Sequence, residues 1–526
     1  MTDMKTENLQ GGPAVNASDV QAMMERYQLS GDLRRVIAEE KLLPVGLLGR
    51  LQAAYPQHSG LLETKPFLFK VGENFTGLEG FRRVCEILKG HGIELGRIKE
   101  REMFIGVYRF MATSHSLNSI NWDRYEKDSV YQLVIPQPDM IDPAASRSYV
   151  NAGSDEERAR IVEDYAERTN PHDGNQQLNK PWFVNDEGKV EFLEGSQHKY
   201  PQCQLVFDTS TQNCFAFCTY CFRHAQVRGD QDMFLQEDVQ QIHRYLKGHP
   251  EVTDMLITGG DGGFMPAHRF EQYVRPIIED PELGHIRTIR LGSRSLTFHP
   301  EMILDKNYDK MLELFDLLYD NGIQMAWMAH FSTPREILNP RTLAAIRRLK
   351  AHHVFVRSQS PMMHHISFFT DENGKVDVER SAQNWIDLAN ILAMLGIGFH
   401  SMYCARPTGE HHYFAAPLAD VEKVFSRIYH SLASINRPSR HISMTISAGK
   451  LSILGTSIVN GEKCFALQFT ESRNMEWMGR VFLAKYDEKQ NKVDLLKPLD
   501  TEKFFFADEL KEIEERLAEA LRARLA

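Results

Sequence analysis

Residues 254–293 read DMLITGGDGGFMPAHRFEQYVRPIIEDPELGHIRTIRLGS: an apolar strand, a turn, an amphipathic helix and a second strand, in that order. The run DMLIT ends in two glycines and an aspartate, AHRFEQYVRPIIED carries apolar residues at helical spacing, and TIRLGS returns to strand. Two strands joined through a helix in this way lie parallel, because the crossover needs a dozen or more residues. The unit recurs on both sides. QLVFD (204–208) precedes EDVQQIHRYLKGH (237–249), and DKMLELFDLLYDNG (309–322) leads into QMAWMAHF (324–331). PRTLAAIRRLKAHH (340–353) leads into VFVRSQS (354–360), and AQNWIDLANILAMLG (382–396) into IGFHSMYC (397–404). The alternation predicts an α/β core over residues 201–425, as an open sheet or a complete or partial (β/α) barrel. The polar strand ends TGGD, GSRS, AHFS and SQS fall at the C-terminal edge of such a sheet, where these folds carry function.

The flanks have a different texture. Residues 1–20 are rich in Gly, Asn, Ser and Asp and read as a flexible tail. Residues 21–200 read as a mainly helical region with a loop-rich linker. GLEGFRRVCEILKGHG (77–92) spaces Phe81, Val84, Cys85 and Leu88 as a helix does, and SDEERARIVEDYAERTNP (154–171) begins on a capping serine and ends at a proline. Residues 426–526 form a C-terminal region that ends in a helix of alternating charge, ADELKEIEERLAEALRARLA. Hydrophobic residues at 42% and charged residues at 25% are globular proportions. A net charge of −10 argues against a nucleic-acid binder, and no apolar run reaches the ~18–20 residues that a membrane helix needs. With no basic-then-apolar leader, the expectation is a cytoplasmic protein.

Seven cysteines are too few for a disulfide scaffold, yet three crowd into CFAFCTYCFRHAQ (214–226), a C-x3-C-x2-C pattern just after the first core strand. Three thiolates at this spacing reach one metal centre from a tight loop. A structural zinc site wants a fourth ligand, for which the nearest candidate is His224, and no second C-x2-C exists. A [4Fe–4S] cluster on Cys214, Cys218 and Cys221 leaves one iron open. Zinc binding and a redox-sensing iron–sulfur protein are the competing readings.

The pattern is that of radical S-adenosylmethionine (SAM) enzymes. HKYPQ, CFAFCTYCFRHAQ, LITGGD, RLGSR, HFSTPREI and SAGK together resemble the lysine 2,3-aminomutases over residues 130–490. The resemblance implies an α/β fold: a radical SAM partial (β/α) barrel with a helical N-terminal region and a small C-terminal α+β region. It implies a cluster on Cys214, Cys218 and Cys221, and SAM cleaved there to a 5′-deoxyadenosyl radical. Gly259, Gly260 and Asp261 match the motif that meets the SAM amino group, although a capping turn accounts for an isolated GGD equally well. Ser293, Arg294, His330 and Gln359 match positions lining the SAM pocket. Arg223 matches the arginine that grips the substrate carboxylate, a task suited to its planar fork. Lys450 matches the lysine that binds pyridoxal 5′-phosphate (PLP), and Lys199 and Tyr200 match a phosphate-binding cation and a ring near PLP.

Three departures qualify this likeness. The glycine run before the PLP lysine shrinks to Ser447, Ala448 and Gly449. A second phosphate-binding arginine is replaced by Cys203, with a two-residue insertion before the cluster. Two aspartates that hold the distal ammonium of lysine are replaced by Ala405 and Ser443, with Arg406 adjacent. A buried ammonium without acidic partners costs several kcal/mol, so the expected substrate is a non-lysine amino acid such as glutamate, met by Arg223, Arg406 and Ser443. The expected reaction is a PLP-dependent 2,3-amino shift. The alternative is a PLP-independent hydrogen abstraction on another carboxylate-bearing substrate. A small-molecule amino acid, an electron donor such as flavodoxin or ferredoxin, and a homo-oligomeric assembly are the implied partners.

Overall fold

The computed structural model describes residues 31–40, 42–55, 68–169, 176–185, 187–229, 233–438 and 441–525; the tail expected over 1–20 lies outside the described residues. Among the described residues, eleven strands form one sheet whose spatial order is the order of the chain. They are β1 (Ser196–Tyr200), β2 (Cys203–Phe207), β3 (Asp254–Thr258), β4 (Thr288–Gly292), β5 (Gln324–Ala329) and β6 (Phe355–Pro361). Then follow β7 (Gly398–Tyr403), β8 (Ile442–Thr445), β9 (Gly449–Val459), β10 (Glu462–Ser472) and β11 (Val481–Lys485). Strands β2 to β8 are parallel. β1 runs antiparallel to β2, and β9 to β11 turn back as an antiparallel meander.

The crossovers are the helices α1 (Val239–Lys247), α2 (Ala267–Glu279), α3 (Asp309–Asp320), α4 (Pro340–Ala351), α5 (Val378–Met394) and α6 (Leu418–Ser431). In α2, Phe270, Tyr273, Val274 and Ile277 are buried, one face of a helix pressed on the sheet. The strands alternate with period two. In β3, Met255 and Ile257 are buried while Asp254, Leu256 and Thr258 are only partly covered; β4 buries Ile289 and Leu291 and leaves Thr288, Arg290 and Gly292 partly open. Leu256 and Arg290 face a cavity enclosed by the sheet's inner face. The sheet curls, so that β10 packs beside β1 without a hydrogen-bonded ladder between them. Lys199 of β1 also donates from Nζ to the Ile446 carbonyl, in the turn between β8 and β9.

The C-terminal region does not stand apart at residue 426. β8 extends the parallel sheet through α6, the meander continues it, and the last helix, α7 (Ala507–Leu525), ties back through Ser447 and Glu514. The four-residue β8 is too short for its pattern to be read alone.

In the N-terminal region, the expected helices form at Gly77–Gly90 and Asp155–Arg168, and Ser154 accepts from the Glu157 amide at 3.2 Å. The polar linker contains one hairpin, Trp182–Val184 with Val190–Phe192. This region has its own core, built on Phe81, Phe104, Leu117 and Leu133, and that core extends onto Ala216, Phe217 and Tyr220 of the cysteine segment. Among the described residues no helix is long and apolar enough to cross a membrane.

Candidate active site

The cysteine segment leaves the C-terminal end of β2 and is clasped from two sides. From the N-terminal region, the carbonyl of Met111 accepts from the Phe217 amide at 2.8 Å, and that of Leu133 from the Thr219 amide at 3.0 Å. From the barrel, Arg294 donates through Nη1 to Cys218 Sγ at 3.1 Å and to the Tyr220 hydroxyl at 2.7 Å, and through Nη2 to Glu336 at 2.7 Å. Glu336 also accepts from the amides of Ser332 at 2.6 Å and Thr333 at 3.0 Å. The segment is thus fixed by backbone and by a buried ion pair, and its three thiols are free of disulfides.

Burial raises all three thiols, Cys214 furthest, with Cys221 and then Asp261 and Cys218 adding to the effect. Cys221 is pushed up to about 12 by burial and by Cys218, whereas Arg294 opposes the rise at Cys218. Three soft thiols on one pinned loop are a donor set whose chemistry fits an iron–sulfur cluster, whose positive irons would hold them deprotonated. Among the described residues no three His, Cys, Asp or Glu side chains converge as on a single ion. His364 and His365 instead pack against Phe368 and Tyr413.

The GGD turn lies behind this loop. A Cβ on Gly260 would sit 2.6 Å from the Asn213 carbonyl, so the turn and the stretch before Cys214 are in backbone contact that only glycine allows. Asp261 accepts from the amides of Gly263 at 2.7 Å and Arg294 at 2.8 Å, which is the capping geometry. Burial raises its carboxyl to about 6, against the pull of Ser293 and those amides. Ser293 accepts from the Ser295 amide at 3.0 Å. Arg294 thus holds the cysteine loop and Gly260 the stretch before it, and none of Gly259, Gly260, Asp261, Ser293 and Arg294 lines the main cavity.

That cavity, of about 290 Å³, gathers most of the other expected residues: Lys199, Tyr200, Arg223, His330, Gln359, Arg406 and Lys450. His330 accepts or donates at Nε2 with the Tyr220 hydroxyl at 3.1 Å, and burial, then Arg294, keeps it neutral. Gln359 accepts from the Tyr403 hydroxyl at 3.1 Å. Lys450 lies 3.5 Å from Glu471 and 5.2 Å from the Tyr403 ring centre. Burial lowers the Lys450 ammonium, but Tyr403 and Glu471 outweigh it and raise it overall. Ser443 does not reach the cavity: it is buried in β8, and its carbonyl accepts from the Cys404 amide at 2.8 Å.

Arg223 and Arg406 are set apart by their company. Arg223 lies 4.7 Å over the Phe207 ring and 5.2 Å over Phe222, and donates to the Thr258 hydroxyl at 3.1 Å. Arg406 lies 4.7 Å over the same Phe222. Among the described residues no carboxylate pairs with either. Burial, and then Arg406 beside it, lower Arg223 to about 10. Two cations sharing one ring without an acid are a charge pattern that an anion would offset.

Arg290 was not anticipated. Its Nη2 meets Cys203 Sγ at 2.9 Å and its Nε meets Asp254 at 2.7 Å, so a cation from β4 arrives beside the residue that stands where an arginine was expected. Its inward place in TIRLGS was readable from the alternation; its partners were not.

A three-cysteine loop at the C-terminal edge of a curled parallel sheet, above a cationic cavity, is the arrangement expected of a radical SAM enzyme. No family model matches the chain. It is 26% identical over 273 residues to an Aquifex aeolicus protein named "Putative L-lysine 2,3-aminomutase", covering 52% of this chain and 67% of that one. It is 27% identical over 153 residues to the L-lysine 2,3-aminomutase of Clostridium subterminale, covering 29% and 33%. It is 29% identical over 140 residues to the glutamate 2,3-aminomutase of Clostridioides difficile, covering 26% and 30%. Across these three, the matched stretch ranges from about a third to about two thirds of the relative's length. A radical SAM methyltransferase structure from Sphaerobacter thermophilus is similar at a TM-score of 0.31 and 14% identity, covering 69% of this chain and 93% of that one. Over these stretches the chain is similar to the lysine 2,3-aminomutases and to a glutamate 2,3-aminomutase.

Proposed function

We propose that this enzyme catalyses a PLP-dependent 2,3-amino shift on an acidic amino acid, with glutamate the first candidate. The observation that carries the proposal is the pair of arginines, Arg223 and Arg406, over Phe222 without an acid partner. A substrate with two carboxylates satisfies both; lysine would place its distal ammonium beside Arg406, a repulsion that costs several kcal/mol at short range in a buried pocket. Cys214, Cys218 and Cys221 would hold the cluster, and Lys450 with Lys199 would hold PLP. When bound, the cluster with SAM would supply a hydrogen-abstracting radical and PLP an electron sink. Arg223 orients the α-carboxylate toward the cysteine loop two residues away in sequence. His330, held neutral, keeps a hydrogen bond to Tyr220 without adding charge. The sheet's inner face and the cysteine segment keep bulk water from the reacting carbon. The electron source we infer is a ferredoxin or flavodoxin, and the assembly a homo-oligomer.

Anaerobic reconstitution with iron and sulfide, then incubation with SAM and a reductant, tests this. Glutamate, aspartate, neutral amino acids and lysine are compared with and without PLP, reading 5′-deoxyadenosine and the β-amino isomer. An acidic substrate should be isomerised at least tenfold faster than lysine, and only with PLP. Faster turnover of lysine would sink the substrate proposal. PLP-independent adenosine release in the wild type, unchanged in Lys450→Ala, would favour simple hydrogen abstraction instead.

A further inference from the structure

Residues 404–409 connect β7 to the short helix His411–Phe414 and carry Arg406. At the end of this connection Glu410 is 3% exposed. It accepts from the Tyr108 hydroxyl at 2.8 Å, and from the Tyr165 hydroxyl at 3.1 Å on one oxygen and 3.2 Å on the other. Both tyrosines belong to the N-terminal region, at the end of the helix Ile98–Val107 and within the helix Asp155–Arg168. The connection also lies against the cysteine segment: a Cβ on Gly409 would stand 3.7 Å from the Cys221 carbonyl and 3.8 Å from the His224 ring. Tyr108 meets that same His224 edge to face, with ring centres 5.0 Å apart. Three parts of the chain, far apart in sequence, thus meet at one buried carboxyl.

We propose that Glu410 is a positioning residue, clamped by Tyr108 and Tyr165 so that residues 404–409 hold Arg406 at the cavity beside Arg223. The N-terminal region thereby fixes the distal half of the anion site. The role assigned to Arg406 rests on the acidic-substrate reading above; the clamp itself does not. A hydroxyl bonded to a buried carboxyl is worth more than an ordinary surface contact, and removing the hydroxyls leaves that carboxyl short of donors.

The test uses the full-length, cluster-reconstituted enzyme carrying Tyr108→Phe with Tyr165→Phe, compared with Glu410→Gln, whose carboxamide oxygen still accepts from both tyrosines. Hydrogen exchange followed by mass spectrometry should show residues 404–411 exchanging at least tenfold faster in the double phenylalanine variant. Exchange in residues 398–403 should be unchanged, and Glu410→Gln should stay close to wild type. With glutamate, the double variant should raise KM about tenfold while kcat and iron content stay within twofold. Unchanged exchange at 404–411 overturns the clamp whatever the substrate is. Loss of iron and kcat together with KM overturns it too, since that marks a general structural role. If exchange changes as expected but Arg406→Ala leaves the glutamate KM unaltered, the clamp stands and the acidic-substrate reading falls.

Discussion

Arg294 shows how much a single side chain does here. Its guanidinium, 6% exposed, spans Cys218, Tyr220 and Glu336, so it links the cysteine loop to the turn after β5. Removing one partner of a buried pair leaves the other charge stranded, at about 3–5 kcal/mol. Arg294→Met should therefore lower both Tm and iron per chain on reconstitution. Arg294→Lys should restore neither fully, because an ammonium cannot reach three partners in the plane of a fork. Glu410 makes a pH prediction. Burial pushes its carboxyl up to about 7 from an ordinary 4.5, against the pull of Tyr108 and Tyr165 and with the help of Asp142; His412 lies 3.4 Å away. Because the folded-state value is raised, the associated stability is full at acidic pH and is lost as pH rises through about 7, on the order of 3 kcal/mol in total. Glu410→Gln should flatten the fall in Tm between pH 5.5 and 8; an unaltered slope would show that the carboxyl is not the titrating group.

At the scale of elements, two close approaches set the geometry. The turn after β3 touches the stretch before Cys214 at Gly260, and β9 touches β10 at Gly449, where a Cβ would fall 2.3 Å from the Glu471 carbonyl. The second approach sets Lys450 opposite Glu471 in the ladder. In both places the intruding atom would meet backbone, which has little room to yield. Gly260→Ala should depress iron content with modest loss of Tm, while Gly449→Ala should cost about 1–3 kcal/mol and weaken PLP uptake, read by absorbance. The shortened glycine run of SAGK thus keeps the one glycine that the sheet requires.

At the scale of the whole molecule, the N-terminal region and the barrel share the cysteine segment. Phe104 is fully buried and its ring lies 6.5 Å from that of Phe217. Phe104→Ala should cost about 3–5 kcal/mol. Because the same core supports the cluster loop, iron per chain should fall with it, whereas a detached domain would lose Tm alone. The N-terminal core packs directly on residues 216, 217 and 220 of the cysteine segment.

What the chain's own pattern determined was local. The period of two in DMLIT and TIRLG, the helical period between them and the C-x3-C-x2-C spacing are written in neighbouring residues, and hydrophobic burial acts on them directly. The parallel core and the cysteine loop were legible for that reason. Long-range partnership was not. That Asp261 caps a turn beneath the loop, that Arg290 reaches Cys203, that Ser443 turns away from the cavity and that Glu410 meets two tyrosines some 245 and 302 residues distant all depend on how the sheet curls. Those pairings are fixed by tertiary packing, because a hydrogen bond between distant residues leaves no periodic trace in the sequence around either one.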